Sequence, residues 1–202
     1  MANEQQETMK SVGVGYVIFV TGTVCQELAD MVTQKIIEID MDNKIKGKNI
    51  PVNLMINSPG GDLNSAWQIC DVMDFVETPI YTTGLGQIAS AALIIFMNGD
   101  AGHRTLTDRS SILSHRFSWG AVGSHKDLLA VQPEINNMHK RMITHYMETT
   151  GHTQKYIETN LLNSNDVWLT SEQAVQYNLA DEIYKSKKQK LINRTKRIKG
   201  KK

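Results

Sequence analysis

The chain has 202 residues, 41% hydrophobic and 21% charged, the composition of a globular protein that buries one large core or two small ones. Its formal net charge of +1 hides an asymmetry: Lys185 to Lys202 carries ten Lys/Arg and no acid, which leaves 12 basic and 21 acidic residues in 1–184. The longest apolar run, Ala89 to Met97 broken only by Ser90, is too short to cross a bilayer, and the polar start MANEQQETMKS has no apolar signal region.

A cytoplasmic protein without membrane contact is therefore expected. Residues 1–11 read as a frayed end and 185–202 as a basic, solvated, disordered tail. That tail has no aromatic side chain to stack on bases, so no nucleic-acid partner is expected. Cys25 and Cys70 have neither metal-ligand nor redox spacing and read as buried free thiols of a reducing compartment.

In chain order, YVIFV (16–20) is β-branched and aromatic between Gly15 and Gly22, a buried strand. Thr23 with Gln26 three residues on resembles a capping box. Behind it Cys25, Leu28, Val32, Ile36 and Ile39 fall on one helical face. PVNLMIN (51–57) is a second strand, SPGGDLNS a glycine turn, and Ala66, Ile69, Cys70, Met73 and Val76 mark an amphipathic helix. PIYTT (79–83) is a third strand, leading into GLGQIASAALIIFMNG and an apolar helix. HRTLT and SILSH are short extended pieces. A glycine-containing link, 119–124, precedes a long helix with Ile135, Met138, Met142 and Tyr146 at helical spacing, a stripe that reads as core or interface. Pro133 marks a start or kink of that helix. Two short helices and a closing strand, DEIY, complete one α/β domain over 1–184.

Gly84, Gly86 and Ala89 spell G-x-G-x-x-A between a strand and a helix, the setting of a dinucleotide fingerprint, with Asp108 near the place of the ribose acid. Against a dehydrogenase stands the position of the motif, after two strand–helix units rather than at the start of the domain. A second reading is nucleophilic. Ser90 begins a helix, where free N–H groups and the positive dipole end favour a developing anion. Helix capping is the bland alternative for such a serine. Two features weigh against it: the adjacent glycines of NSPGGD (57–62), which let a backbone approach and offer N–H groups, and His115, a base at the end of an extended segment. His103, His125, His139, His145 and His152 are the other histidines, and residue type alone does not rank the six. His139 and His145 lie on the long helix and look like surface or interface residues.

INSPGGD, GQIAS, SILSHRFSWGAVGS and NDVWLTSEQAVQYNLADEI, in that order, resemble the ClpP family of serine peptidases from about Val17 to Tyr184. The resemblance implies repeated ββα-type units of the ClpP/crotonase superfamily with a protruding strand–helix handle over 117–139. It implies Ser90 as nucleophile, His115 as general base and Asp166 as third triad member. The backbone N–H groups of Gly61 and Ala91 become the oxyanion donors, with Gly60 and Gly61 aligning substrate backbone. It further implies peptide substrates, a homo-oligomer of two stacked heptameric rings enclosing a chamber, and a Clp-type AAA+ unfoldase as partner. No cofactor and no metal are implied. The chain departs from the family at Ala91, where methionine is usual, and at HRF, where a proline follows the base by two. It departs again at Ser164 and Asn165, in place of an acid–base pair, and at Pro133. It reads as a compact, divergent serine endopeptidase. A catalytically silent ClpP-like subunit with a structural or regulatory role is the alternative, an acyl-CoA enzyme of the same superfamily the third.

Overall fold

The computed structural model describes residues 15–120 and 122–185; residues 1–11, expected to be frayed, and nearly all of the tail expected to be disordered lie outside that range. Its elements are β1 (Tyr16–Thr21), α1 (Gln26–Lys46), β2 (Val52–Ser58), α2 (Leu63–Phe75), β3 (Ile80–Ala89) and α3 (Ala91–Met97). There follow β4 (Arg104–Thr107), β5 (Ser111–Ser114), α4 (His125–Thr150), α5 (Gln154–Asn160), β6 (Val167–Thr170), α6 (Ser171–Gln176) and β7 (Glu182–Tyr184). The sheet runs β1-β2-β3-β4-β7, all parallel, and β5 pairs in parallel with β3 and antiparallel with β6. Alternation along β2 decides which face is covered: Val52, Leu54 and Ile56 are fully buried, while Asn57 is exposed. The buried set joins Val32 and Ile36 of α1, Ile69 of α2 and every residue of α3 in one core.

Each local departure from the sequence reading has a cause. The first helix does not begin with a Thr23 capping box. Val24 is held extended by donating its N–H to the Gly60 carbonyl and accepting from the Asp62 N–H, so the helix starts only after Cys25. Cys70 is buried and Cys25 only partly so, both free. The long helix begins at His125 behind a Ser124–Asp127 capping box, and Pro133 lies inside it. Residues 117–120, leading to that helix, form no strand among the described residues.

His145 is the largest correction. It is 7% exposed, not a surface group: its Nε2–H donates to the Ile94 carbonyl of α3 at 3.1 Å, and its ring meets Trp67 edge-on at 5.2 Å. Amphipathic spacing on α4 simply continues past Met142 into a second buried contact. Next to it, Arg104 forks onto both carboxylate oxygens of Asp181 (2.6 and 3.0 Å) and donates to the Thr149 carbonyl at 2.8 Å, tying β4, α4 and the approach to β7 together. Burial works against the Asp181 carboxylate, but the bonds from Arg104 outweigh it and hold its pKa below the usual value.

Burial, with Arg104 nearby, lowers the pKa of His145 from 6.5 to about 4. Above pH 6.5 the imidazole is neutral whether the chain is folded or not; between 6.5 and about 4 only the unfolded chain takes up the proton. Stability is therefore expected to fall by about 3 kcal/mol across that window on this residue's account, at roughly 1.4 kcal/mol per pH unit. Urea titrations at several pH values check this. His145→Gln, which keeps an N–H donor, should lack that component of the pH slope.

Candidate active site

Three chain segments end at the C-terminal ends of neighbouring strands, where open parallel sheets place ligand sites: the glycine turn after β2, Ser90 after β3 and His115 after β5. The glycine turn is built from its backbone. Gly60 N–H donates to the buried Ser58 hydroxyl at 3.0 Å. At φ +92°, Gly60 sits so close to the next strand that a Cβ there would lie 2.6 Å from the Ala89 carbonyl and 2.7 Å from Ser90 Cβ. The bonds that join Val24 to this turn use the Gly60 carbonyl and the Asp62 N–H, and neither uses the Gly61 N–H. Asp62 then caps α2 by accepting from Ser65 N–H at 2.6 Å.

The strand that delivers Ser90 is longer than its sequence suggests. β3 runs from Ile80 to Ala89, so Gly84 and Gly86 lie within a strand and not in a phosphate-binding turn. Along it β3 changes partner, from β4 at Gly84 to β5 at Gln87, and its register against β2 shifts between Ile56 and Ser58. Gly86 (φ +63°) absorbs the bend, and Asn57 Oδ1 accepts from Gln87 N–H at 3.1 Å. A dinucleotide cradle is thereby excluded at this motif.

Ser90 follows at φ 57° and ψ −125°. Only Ser90 and Asn178 adopt positive φ without being glycine among the described residues. Ser90 N–H donates to the Leu113 carbonyl at 3.0 Å, and its own carbonyl accepts from Leu93 N–H at 2.9 Å. Although Ser90 stands at the N-cap of α3, its side chain makes no cap bond; Oγ lies 2.7 Å from His115 Nε2. Ala91, as the first helical residue, has an N–H with no acceptor in its own helix.

Antiparallel pairing brings the third group in. Ser114 of β5 is opposite Val167 of β6, so the next residues outward, His115 and Asp166, face each other. His115 Nδ1 lies 3.5 Å from Asp166 Oδ1, an ion-pair distance longer than a good hydrogen bond, with the Asp166 side chain 60% exposed. Asp166 caps no helix: Thr170 and Gln173 form the capping box of α6. No other histidine hydrogen-bonds Ser90; His103 stacks on Tyr81, His152 on Tyr156, and His139 lies 4.0 Å from Glu158.

A Clp protease family model matches residues 2–187 of this chain. The chain belongs to the Clp protease family. A solved structure of a ClpP1 mutant from Listeria monocytogenes is similar to it in fold, with a TM-score of 0.74 at 22% identity over 92% of this chain and 98% of that one. This Clp protease family chain is thus a Clp protease-like proteolytic subunit with an α/β fold. No helix among its described residues is long and apolar enough to cross a membrane. Among the same residues, no group of three or more His, Cys, Asp or Glu could hold a metal ion.

Beside Ser90 the family member has a cavity of about 230 Å³ whose walls include Leu63, Phe117, Trp119, Met138 and Met142. Sequence reading missed these as site residues. Met138 and Met142 were legible as an apolar stripe, and what their spacing cannot say is that the link before α4 folds Phe117 and Trp119 over the same space. Gly60→Ala should slow reaction of Ser90 with a fluorophosphonate about tenfold or more, because the added methyl displaces Ser90. Gly102→Ala is the control: φ is +85° but a Cβ there meets nothing within 4 Å, so labelling should be unchanged.

Proposed function

We propose that this Clp protease family member is a serine endopeptidase that cleaves peptide bonds through Ser90, His115 and Asp166. The observation that carries the reading is the 2.7 Å contact from His115 Nε2 to a Ser90 Oγ that makes no cap bond, on a backbone with φ 57°. Strained backbone of this kind costs about 1–3 kcal/mol and clusters at functional sites.

With the His115 proton on Nδ1, facing Asp166, Nε2 accepts the Ser90 proton as Oγ attacks a peptide carbonyl. The carbonyl oxygen becomes an anion next to the N–H groups of Gly61 and Ala91. His115 returns the proton to the leaving amine, and water then cleaves the acyl-enzyme by the same route. Asp166 orients the imidazole and balances its transient charge. Gly60 and Gly61 offer backbone to an extended substrate, and the apolar walls beside Ser90 favour an apolar side chain next to the scissile bond. The proposed setting is a homo-oligomer of two stacked heptameric rings in the cytoplasm, joined through α4 and fed by a Clp-type AAA+ unfoldase. A single peptidase domain extends to residue 184, with a basic tail after it.

A second reading, a silent or weakly active structural subunit, draws on the 3.5 Å separation of His115 from an Asp166 that is 60% exposed. Hydrolysis of a fluorogenic peptide separates the two. Ser90→Ala and His115→Ala should each lower kcat by about 10³-fold or more, with the fold and assembly kept. Wild-type protein that assembles but turns over no peptide would favour the structural subunit.

A further inference from the structure

His115 is flanked by Ser114 and Arg116, and both reach the chain that leads to Asp166. Ser114 is fully buried; its Oγ–H donates to the Leu161 carbonyl at 2.8 Å and its oxygen lies 2.9 Å from Tyr146 Oη. A serine hydroxyl has one proton and a carbonyl can only accept, so Tyr146 must be the donor to Ser114. Burial raises the Tyr146 pKa and keeps that donor protonated. The order is therefore Tyr146 to Ser114 to Leu161. On the other side Arg116 Nε–H donates to the Leu162 carbonyl at 2.7 Å.

Leu161 and Leu162 are fully buried, and both donate their N–H groups back to the Ile157 carbonyl at the end of α5. Their own carbonyls have run out of helix, and the two neighbours of His115 take them up. From there the chain reaches Asp166 in four residues, helped by Asn165 N–H bonding Asn163 Oδ1 at 2.7 Å. The Asp166 side chain itself has little to hold it: it is 60% exposed, with Oδ1 3.5 Å from the imidazole, so water competes for it.

We propose that Ser114 and Arg116 are positioning residues which clamp the Leu161 and Leu162 carbonyls and so keep Asp166 facing His115. The inference rests on the triad reading above. Because the anchors sit on the same strand end as the base, they carry base and acid together. The bonds oppose drift of β5 relative to the end of α5, and so keep the pair together. Tyr146 couples the same anchor to α4, one turn beyond the Met142 that lines the cavity.

Fluorophosphonate labelling of the full chain tests this, with the maximal inactivation rate and the probe's KI measured separately and thermal unfolding recorded for each variant. Arg116 is exposed, so its replacement should fold. Arg116→Ala should lower the maximal rate about 5- to 20-fold with KI changed less than about twofold. Arg116→Lys, which can still donate to Leu162, should recover most of the loss. Asp166→Asn should lower the rate about 10²- to 10⁴-fold, and Arg116→Ala added to it should cost less than about twofold more. An equal cost of Arg116→Ala in both backgrounds, or no cost in the wild type, would overturn the clamp while leaving the triad standing. Labelling of Asp166→Asn at the wild-type rate would instead overturn the triad assignment, and the clamp with it.

Discussion

Ser90 is held at φ 57° and ψ −125°, a conformation that an L-residue adopts only when its surroundings leave no choice. Three features impose it. The residue ahead belongs to a strand locked between β2 and β5, the seven residues behind form a helix buried on every side, and its own N–H is tied to Leu113. Strand and helix meet too sharply for an ordinary corner, and the turn aims Oγ outward at His115. Gly60 belongs to the same constraint, since only a residue without Cβ lets the neighbouring turn sit against Ala89 and Ser90. The buried apolar helix is thus a mount: its core contacts oppose relaxation of the one unusual residue at its start.

The electrostatics of the site are uneven along its length. Ser90 and His115 are close and sheltered by the cavity wall, whereas Asp166 faces water at the rim. Solvent screens an exposed ion pair, so proximity alone gives Asp166 little hold on the imidazole. In the proposed triad the orienting falls to backbone organisation instead, through the β5–β6 ladder and the bonds from Ser114 and Arg116. The departures HRF and Ser164–Asn165 lie on the His115–Asp166 side of the site, while Ala91 departs directly behind Ser90.

Much of this was legible in the sequence where one element carries the signal. Alternation and glycine bounds located β1 and β2, and NSPGGD announced a turn offering backbone. Pairing between distant segments was not legible, and two misreadings and one alternative left open trace to it. Thr23 looked like a cap until Val24 is seen bonded to Gly60 and Asp62, which delays the helix. Gly84 and Gly86 left a phosphate turn open as the weaker of two readings, and partner strands on both sides close it by extending β3 through them. His145 looked like a surface or interface residue because the helical spacing of α4 says nothing of α3 lying beneath it. Asp166 needed the family resemblance to be singled out, because a lone acid before a helix reads as a cap. The register Ser114–Val167 gives the physical reason it faces His115.

Peptide mapping by mass spectrometry after fluorophosphonate treatment tests the central claim, that this backbone geometry makes Ser90 nucleophilic through His115. The account predicts one adduct, on the Ser90 peptide, in the wild type, and none under the same conditions in His115→Ala. An unmodified Ser90 in the folded wild-type protein, or an adduct formed equally fast without His115, would contradict it.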